Sequence, residues 1–364
     1  MGEKIKIVVS DLHIGTGHAP GEVNPYEDFQ LDDRFAEMIG YYSSGKYENH
    51  EVELILNGDF FDLLKVPVNG AFPDEITESL SMNKLKSCMD GHQQIMDTLK
   101  NFISKPGRRI TYIPGNHDMD FFFEGVRHLL SMTLTGKSED KRLRFIISSD
   151  RYDLPEGIQI LHGHQYESMH SFNFEEIFLT KGLKEPILNL PWGSFFVLKV
   201  VNPFKVERPY VDAVRPFMAF IIFGLFSDFK FSVRLFFRSV YFFIKTRLFK
   251  VMNRKTYFRK LIKILRENLI FQTELEQFAE RTLKTSFTTK LVIMGHTHQA
   301  MVRSYGTDKF YINIGSWVRT ISLSIGTIGS TLKPTYALIE YSNGIPRAKL
   351  LEWKGEYRPF EQIE

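Results

Sequence analysis

Five short polar blocks, rich in Asp, Asn and His, constrain the fold more than any other feature of this sequence. Each follows a β-rich, largely apolar run at the point where a loop should begin. Open α/β folds place their ligands at such strand ends. The blocks are Asp11-Leu12-His13, Gly58-Asp59-Phe60-Phe61-Asp62, Gly115-Asn116-His117-Asp118, His162-Gly163-His164 and Gly295-His296-Thr297-His298. The sequence therefore predicts one site built from five separated segments.

The donor atoms in these blocks are those that divalent metal ions prefer. Carboxylate, amide oxygen and imidazole suit Mn, Fe or Zn. In Asp-x-His and His-x-His the two outer side chains lie on the same side of an extended backbone, so one strand end offers two ligands. The single cysteine, Cys88, can form neither an internal disulfide nor a thiolate metal site. We therefore expect a metal site of His, Asp and Asn in a reducing, cytoplasmic setting.

Short β-rich runs alternate with helical patterns in the first part of the chain, which is typical of a βαβ sheet. We predict helices near residues 31–43 and 82–104. We predict strands at residues 5–10, 51–57, 109–114, 158–161, 290–294, 310–314, 336–341 and 348–353. The last two strands should pair across Asn343-Gly344 as a β-hairpin that closes a second sheet.

A length of 364 residues allows about two domains, or one large domain that carries an insertion. The segment 165–285 is basic and rich in aromatic residues, and it separates two blocks that must meet in space. We therefore predict a catalytic domain from residues 1–164 and 286–364, with residues 165–285 as a helical, basic and Phe-rich insertion that acts as a cap or membrane-contact element.

With all five blocks in order, the sequence resembles the calcineurin-like metallophosphoesterase superfamily, whose pattern is D-x-H, G-D-x-x-D, G-N-H-[DE], H-G-x and G-H-x-H. The resemblance covers residues 1–164 and 286–355. It implies an α/β fold, a metallophosphoesterase-type sandwich of two mixed β-sheets flanked by helices, here with a largely helical insertion.

The resemblance also implies a role for each matching residue. Asp11, His13 and His298 would hold one divalent metal ion, Asn116, His162 and His296 a second, and Asp59 would bridge them. His117 would be the acid near the scissile phosphate, and Asp62 the carboxylate that orients it. His164 matches a position that the family varies. Manganese is the expected metal, with Fe, Zn, Co or Mg as alternatives.

Two such ions neutralise phosphate oxygens and lower the pKa of a bound water, which yields a metal-bridging hydroxide as nucleophile. We therefore predict a metal-dependent hydrolase of a phosphomonoester, phosphodiester or pyrophosphate bond. The alternative is a non-catalytic metal-binding scaffold that uses the insertion to bind a partner or membrane. A scaffold should have lost ligands, and every ligand position of the pattern is filled here, which favours the enzyme.

The insertion concentrates positive charge and phenylalanine. Between residues 204 and 264 there are 14 Lys and Arg, three acidic residues and 13 of the 33 Phe, although the whole chain has a net charge of only +3. Lys230, Arg234, Arg238 and Lys245 fall close to one face of a helix, while Leu235, Phe242, Ile244 and Phe249 fill much of the remainder. We take Lys230, Arg234 and Arg238 as candidate substrate contacts.

Three interpretations of this composition stay open. Lys and Arg could meet anionic headgroups while Phe and Leu enter the acyl boundary of a membrane. The segment could instead pack on its own domain or on a second subunit of a homo-oligomer. Basic residues also attract nucleic acid, but Phe in dense runs does not form spaced stacking platforms, so nucleic acid ranks last.

The opening Ser10-Asp11-Leu12-His13, the H-G-x block and an inserted apolar cap look like the UDP-2,3-diacylglucosamine hydrolase branch, which cleaves a lipid-linked pyrophosphate at the membrane surface. The insertion is much longer than that branch needs, so substrate identity does not transfer. No charge-free apolar run reaches the ~18 residues that span a bilayer, and the N-terminus leaves no room for a signal peptide. We expect a cytoplasmic protein that is peripheral on the inner face of a membrane.

Overall fold

Two mixed β-sheets pack face to face and carry helices on their outer faces, which confirms the predicted fold class. The structure is a computed structural model and describes residues 3–19, 21–215, 217–248, 274–322, 329–356 and 359–363. In chain order the strands are β1 (Lys4–Val9), β2 (Glu51–Asn57), β3 (Arg108–Ile113), β4 (Leu143–Phe145), β5 (Tyr152–Leu154), β6 (Ile158–Ile160), β7 (Phe178–Leu179), β8 (Ile187–Leu188), β9 (Val214–Arg215), β10 (Leu291–Met294), β11 (Met301–Ser304), β12 (Phe310–Asn313), β13 (Thr320–Ser322), β14 (Gly329–Thr331), β15 (Thr335–Ser342), β16 (Ile345–Trp353) and β17 (Phe360–Gln362). The α-helices are α1 (Asp32–Tyr41), α2 (Glu78–Gly91), α3 (Gln93–Ser104), α4 (Glu124–Thr135), α5 (Trp192–Phe196), α6 (Asn202–Lys205), α7 (Phe217–Ser227), α8 (Phe229–Leu248) and α9 (Glu274–Thr285).

The first sheet has seven strands in the order β17-β16-β15-β1-β2-β3-β4. Strands β1 to β4 run parallel, and β15 pairs antiparallel with β1. The second sheet has five strands in the order β11-β12-β10-β6-β5, with β6, β10 and β12 parallel. Parallel strands direct their carboxyl ends to one edge, so each sheet brings several loop entrances together.

The C-terminal hairpin corrects one prediction. It forms across Asn343-Gly344 as expected, but β15 joins the first sheet beside β1 and does not close the second. Strand β15 is buried on both faces: Tyr336 and Leu338 contact the helix-covered core, while Ala337 and Ile339 contact the core between the sheets. A strand that is apolar on both faces suits an interior position, which the place beside β1 provides.

The alternation of side chains along β1 divides the interior into two cores. Ile7 and Val9 face the core beneath helices α1 to α4, whereas Val8 faces the core between the sheets. Opposite Val8, the second sheet contributes Ile160 and Ile293 to the same cluster. Full burial of such a side chain is worth about 1.5–3 kcal/mol, and together these contacts fix how the edges of the two sheets align.

The stretch 82–104, predicted as one helix, is two helices that meet at His92. The backbone of His92 leaves the helical region, with φ −128° and ψ 53°. Gly91, just before this break, allows a close approach of the chain, because a Cβ added there would lie 2.1 Å from the carbonyl oxygen of Thr16. The loop after β1 therefore packs directly on the end of α2.

Both ends of the segment 165–285 pack on the two-sheet body. Leu188 and Leu198 lie in the helix-covered core, and α9 places Leu275 and Leu283 against the outer face of the second sheet. Helices α7 and α8 pack on one another, with Phe220 against Phe231. In the described part of the chain, no helix is both long and apolar enough to cross a bilayer. The division into domain and insertion stays a prediction.

The ion pairs of His92 yield a pH prediction. Nδ1 of His92 lies 2.8 Å from Asp32 and Nε2 lies 3.2 Å from Glu27. Burial lowers the pKa of His92, but these two carboxylates outweigh it and raise that pKa to about 9 from 6.5. The folded state thus holds the proton more tightly, so this stabilisation is complete below pH 6.5 and is lost as pH rises through about 9.

We therefore expect His92 to contribute about 3 kcal/mol to the free energy of unfolding at pH 6, since one pKa unit corresponds to about 1.4 kcal/mol. His92→Gln should remove this contribution, so the stability difference from wild type should shrink between pH 6.5 and pH 9. Urea unfolding across that range measures it. The control His128→Gln, at a partly exposed histidine on α4, should leave the pH slope unchanged. A constant difference between wild type and His92→Gln would contradict the prediction.

Candidate metal centre

The five blocks lie at the carboxyl ends of five parallel strands. Asp11 and Asp59 follow β1 and β2, and Asn116 follows β3 in the first sheet. His162 and His296 follow β6 and β10 in the second sheet. The packing of the two sheets brings these loop entrances to one place, so side chains 285 residues apart in sequence come into contact, as His13 and His298 do.

The backbone is strained where the blocks carry their His and Asp side chains. In the described part of the chain, seven non-glycine residues have positive φ, and five of them belong to these blocks: Asp11, His13, Asp59, His296 and His298. This left-handed conformation costs roughly 1 kcal/mol or more for each residue, and such strain clusters at functional sites. The surrounding fold therefore holds these side chains in positions that the local sequence does not favour.

Asp11, His13 and His298 form a first group of donor atoms. Nε2 of His298 lies 3.3 Å from Oδ1 of Asp11 and 3.1 Å from Nε2 of His13. The three donor atoms lie within 4.8 Å of one another. A single cation placed between them would be within reach of all three.

Asp59, His162 and His296 form a second group, again within 4.8 Å. Oδ2 of Asp59 lies 3.2 Å from Nε2 of His162 and 3.8 Å from Nε2 of His13. The same carboxylate oxygen therefore faces both groups.

The other polar atoms of these residues are hydrogen-bonded to the fold. Oδ2 of Asp11 accepts from the backbone N–H of His296 at 2.8 Å, and Oδ1 of Asp59 accepts from the N–H of His117 at 2.8 Å. Nδ1 of His162 donates to the carbonyl of Asn57 at 2.9 Å, which leaves Nε2 facing the site. Such outer hydrogen bonds fix the orientation of a metal ligand.

Two observations test whether divalent cations fit here. Among the described residues, Oδ1 of Asn116 is buried without a hydrogen-bond partner, a costly state that a cation would relieve. The buried Oδ1 of Asp11 and Nε2 of His162 contact His298 and Asp59, which belong to the two donor groups themselves. Burial lowers the pKa of His13, but the carboxylates of Asp11 and Asp62 outweigh it and raise that pKa to about 10. The site favours positive charge, so the residues present fit the metal ions that the sequence predicts.

Asp62 lies between two imidazoles. Nδ1 of His117 donates to its Oδ1 at 2.8 Å, and Nδ1 of His13 donates to its Oδ2 at 3.0 Å. Burial opposes ionisation of Asp62, but His117 and Lys65 hold the pKa of this carboxyl well below its usual range. Asp62 therefore stays a hydrogen-bond acceptor for both rings, and the Nε2 of each ring is left for the site.

The glycine of the third block permits a close approach of two strand ends. A Cβ added to Gly115 would lie 2.2 Å from Oδ1 of Asp59 and 2.6 Å from its backbone nitrogen. Asp118 holds the same turn, because its carboxylate accepts from the Gly115 N–H and, at 2.6 Å, from the hydroxyl of Tyr112. Burial and the charge of Asp59 raise the pKa of Asp118 to about 6.

Glu167 and His170 lie at the site next to His296, although the sequence pattern predicts no metal-binding role for either. With His296 they form a third group of donor atoms within 4.8 Å, in which Oε2 of Glu167 contacts Nε2 of His296. Nδ1 of His170 lies 3.4 Å from Nδ2 of Asn116. Their spacing of three and six residues from His164 is the one sequence signal that could have suggested them.

His164 has a different environment from its neighbour His162. Both of its ring nitrogens are buried without a hydrogen-bond partner among the described residues, and its ring stacks on Phe172 at 4.6 Å between centroids. Burial, followed by the nearby His162, holds its pKa well below the usual range. The neutral ring packs as an aromatic side chain beside the site.

The candidate substrate contacts Lys230, Arg234 and Arg238 lie on the exposed face of α8. Arg234 pairs with Glu207, and Arg238 donates to the carbonyl of Lys199 at 3.4 Å, so these two contact the insertion itself. On the same helix Leu235 and Phe242 are buried, as their spacing suggests, whereas Ile244 is exposed. Phe249 lies outside the described residues. A substrate role for the three basic residues stays a prediction.

Comparison with known proteins gives a family and distant structural similarities. A family model for calcineurin-like phosphoesterases matches residues 7–204. No curated protein matches the chain. Solved structures similar to it include a mutant of Vps29 from Entamoeba histolytica, at 10% identity, with 96% of this chain and 99% of that chain covered and a TM-score of 0.28.

Two further similar structures are phosphoesterase-related. One is a conserved uncharacterised protein, a predicted phosphoesterase, from Streptococcus pneumoniae, at 11% identity, with 100% of this chain and 98% of that chain covered and a TM-score of 0.31. The other is a putative 5'-nucleotidase from Staphylococcus aureus, at 11% identity, with 100% of this chain and 53% of that chain covered and a TM-score of 0.34.

The close approach at Gly115 yields a second prediction. Gly115→Ala should displace Asp59, because the added Cβ meets both its backbone and its carboxylate. We expect bound metal, measured by plasma mass spectrometry after dialysis, to fall at least about tenfold, the scale on which disturbed outer partners weaken metal binding. Gly40→Ala is the control, since its Cβ meets nothing within 4 Å. Equal metal content in the two variants would contradict the prediction.

Proposed function

The chain belongs to the calcineurin-like phosphoesterase family, and from this premise we propose that it hydrolyses a phosphoester or pyrophosphate bond with two divalent metal ions. The observation that carries the proposal is the convergence of His and Asp donor atoms from the five blocks into adjoining groups, with Asp59 next to both His13 and His162. When bound, two such ions would neutralise phosphate oxygens and lower the pKa of a water.

We assign the ligands as the sequence predicts. Asp11, His13 and His298 would hold one ion, and Asn116, His162 and His296 the other, with Asp59 between them. The orientation of Asp11, Asp59 and His162 by outer hydrogen bonds supports this assignment. The donor set of nitrogen and oxygen suits Mn first, and Fe, Zn, Co or Mg as alternatives.

In this proposal His117 delivers a proton to the leaving-group oxygen. Its Nδ1–H is held by Asp62, so Nε2 is the atom available to a substrate. A general acid must be oriented as well as close, and an imidazole whose far nitrogen is fixed by a carboxylate meets that requirement. His117 is partly exposed, as contact with a substrate requires.

We further propose that the insertion brings the chain to an anionic membrane surface, where its substrate would be lipid-linked. Phe226, Phe229 and Phe237 are 88%, 62% and 64% exposed, and the basic residues Lys230 and Arg238 lie on the same helix pair. Water-exposed Phe beside Lys and Arg is the combination that interfacial helices use. A lipid-linked or nucleotide-lipid phosphoester or pyrophosphate is the substrate class that we favour.

The metal proposal predicts that Asp59→Asn abolishes turnover. The variant loses the carboxylate that faces both donor groups, so we expect bound metal to fall from near two ions per chain. Manganese-dependent hydrolysis of bis(4-nitrophenyl) phosphate should fall by more than about 100-fold. Loss of a residue that only hydrogen-bonds to a metal ligand usually lowers activity by less than this. Asp153→Asn, which changes a carboxylate paired with Arg151 away from the blocks, is the matched control.

A wild-type protein that binds metal but hydrolyses no ester class with Mn, Fe, Co or Zn would contradict the enzyme proposal. The chain would then be a metal-binding scaffold that uses the insertion to bind a partner or a membrane.

The membrane proposal predicts that the double variant Phe226→Asp/Phe237→Asp loses vesicle binding. Burial of one Phe is worth about 1.5–3 kcal/mol, so each substitution should weaken binding about tenfold or more. Flotation with vesicles of phosphatidylglycerol and phosphatidylcholine measures it, and Phe287→Asp, at a fully exposed Phe outside α7 and α8, is the control. Turnover of a small soluble diester should be retained. Flotation that is equal in wild type and the double variant would refute membrane contact; a changed oligomeric state would favour subunit packing.

A further inference from the structure

Two lysines and two aspartates form a closed ring of ion pairs next to Asp62, in which the lysines are buried and the aspartates are partly exposed. Nζ of Lys205 lies 2.9 Å from Oδ1 of Asp28 and 2.7 Å from Oδ1 of Asp212. Nζ of Lys65 lies 2.7 Å from Oδ2 of Asp212 and also contacts Asp28. Each aspartate thus bridges both lysines. We call these four residues, Asp28, Lys65, Lys205 and Asp212, the charge ring.

The charge ring joins the insertion to the two-sheet body. Lys65 lies in the short turn after the second block, and Asp28 lies in the loop before α1. Lys205 ends α6, and Asp212 follows it, so half of the ring comes from the insertion. The Lys65 and Lys205 side chains are only 6% and 0% exposed, so neither ammonium group can exchange its partners for water.

Lys65 connects the ring to the candidate metal centre. Its Nζ lies 3.0 Å from Oδ2 of Asp62, in addition to its contacts with Asp28 and Asp212. An ammonium group has three N–H donors, and here each has its own carboxylate. Burial opposes the charge on Lys65, but Asp212, Asp28 and Asp62 raise its pKa well above the usual range. The ammonium position is therefore determined from three sides.

Oδ2 of Asp62 forms an ion pair with Lys65 and accepts a hydrogen bond from Nδ1 of His13. Oδ1 of Asp62 accepts a hydrogen bond from Nδ1 of His117. A rotation of this carboxylate toward Lys65 would lengthen at least one imidazole contact. We propose that the charge ring is a positioning element through which the insertion fixes Asp62 and, through Asp62, the imidazoles of His13 and His117. This inference rests on the proposed function, and it makes the insertion a part of the active centre as well as a cap.

Asp212→Asn tests the proposal with a nearly isosteric change. It removes one of the three negative charges around Lys65, so Lys65 should draw more strongly on Asp62 and loosen the two imidazole contacts. We expect kcat for bis(4-nitrophenyl) phosphate to fall about 10- to 100-fold, the usual effect of an outer partner, with KM unchanged. Asp212→Glu, which keeps the carboxylate, should recover part of kcat.

Two controls separate positioning from loss of stability. Glu53→Gln changes another largely buried carboxylate that pairs with a buried lysine, Lys6. Lys6 lies on β1 and Glu53 on β2, upstream of the first and second blocks. Asp228→Asn removes a different insertion carboxylate, one paired with Arg208 at the surface. Both should leave kcat for the folded protein unchanged, even where Glu53→Gln lowers the melting temperature.

A second measurement needs no turnover, so it separates failure of this inference from failure of the proposed function. With 15N-labelled histidine, wild type should show protonated Nδ1 signals for His13 and His117, and Asp212→Asn should shift or broaden both. Unchanged signals and unchanged kcat in Asp212→Asn would overturn the proposal, as would an equal loss of kcat in Asp228→Asn. If Asp212→Asn does not fold, kcat and the histidine signals should be measured in Lys205→Met, which changes the other insertion residue of the charge ring.

Discussion

The hydrogen bonding of three buried carboxylates, those of Asp11, Asp59 and Asp62, is the constraint on which the rest of this structure depends. In Asp11 and Asp59, one carboxylate oxygen accepts a hydrogen bond from a backbone N–H group, and the other oxygen lies close to a histidine ring. Asp62 gives its two oxygens to two different imidazoles. A buried charge is tolerated only when its bonds are nearly complete. The loops must therefore follow the paths that complete them, which explains the glycines and the positive φ angles at the strand ends.

The sheet sandwich supplies the stability that this arrangement needs. Five strained residues and several unpartnered donor atoms all raise the free energy of the folded chain. The two cores along β1 offset them, since the residues of this strand are almost completely buried on both faces. The site is thus held by packing on the strands behind it, and the loops need little regular structure of their own.

The segment 165–285, which we predict to be an insertion, has two surfaces of opposite character. Its first half enters the body through the charge ring and through buried apolar residues such as Leu188 and Leu198. Helices α7 and α8 instead expose large side chains such as Phe226. A segment built this way can link a contact at the surface to the geometry of the site, because the same α6 region that precedes those helices carries Lys205.

The sequence by itself determined the elements and the chemistry of the blocks. Eight of the described strands, the hairpin turn at Asn343-Gly344 and the place of the five blocks at strand ends followed from local patterns of apolar residues, turn residues and donor types, which are properties of neighbours along the chain. Short strands such as β4, β5 and β11 were not predicted. The break at His92, the place of the hairpin beside β1 and the third donor group with Glu167 and His170 did not follow.

Only the tertiary structure decided these features, because each depends on a contact with a distant residue. Gly91 ends its helix against Thr16, β15 fills a place beside β1, and His170 meets Asn116 across the site. The charge ring is the clearest case. In the sequence, Lys205 and Asp212 belong to a basic segment that gives no sign of their partners. Only folding places them beside Asp28 and Lys65, where burial of the two lysines keeps all four residues in fixed ion pairs.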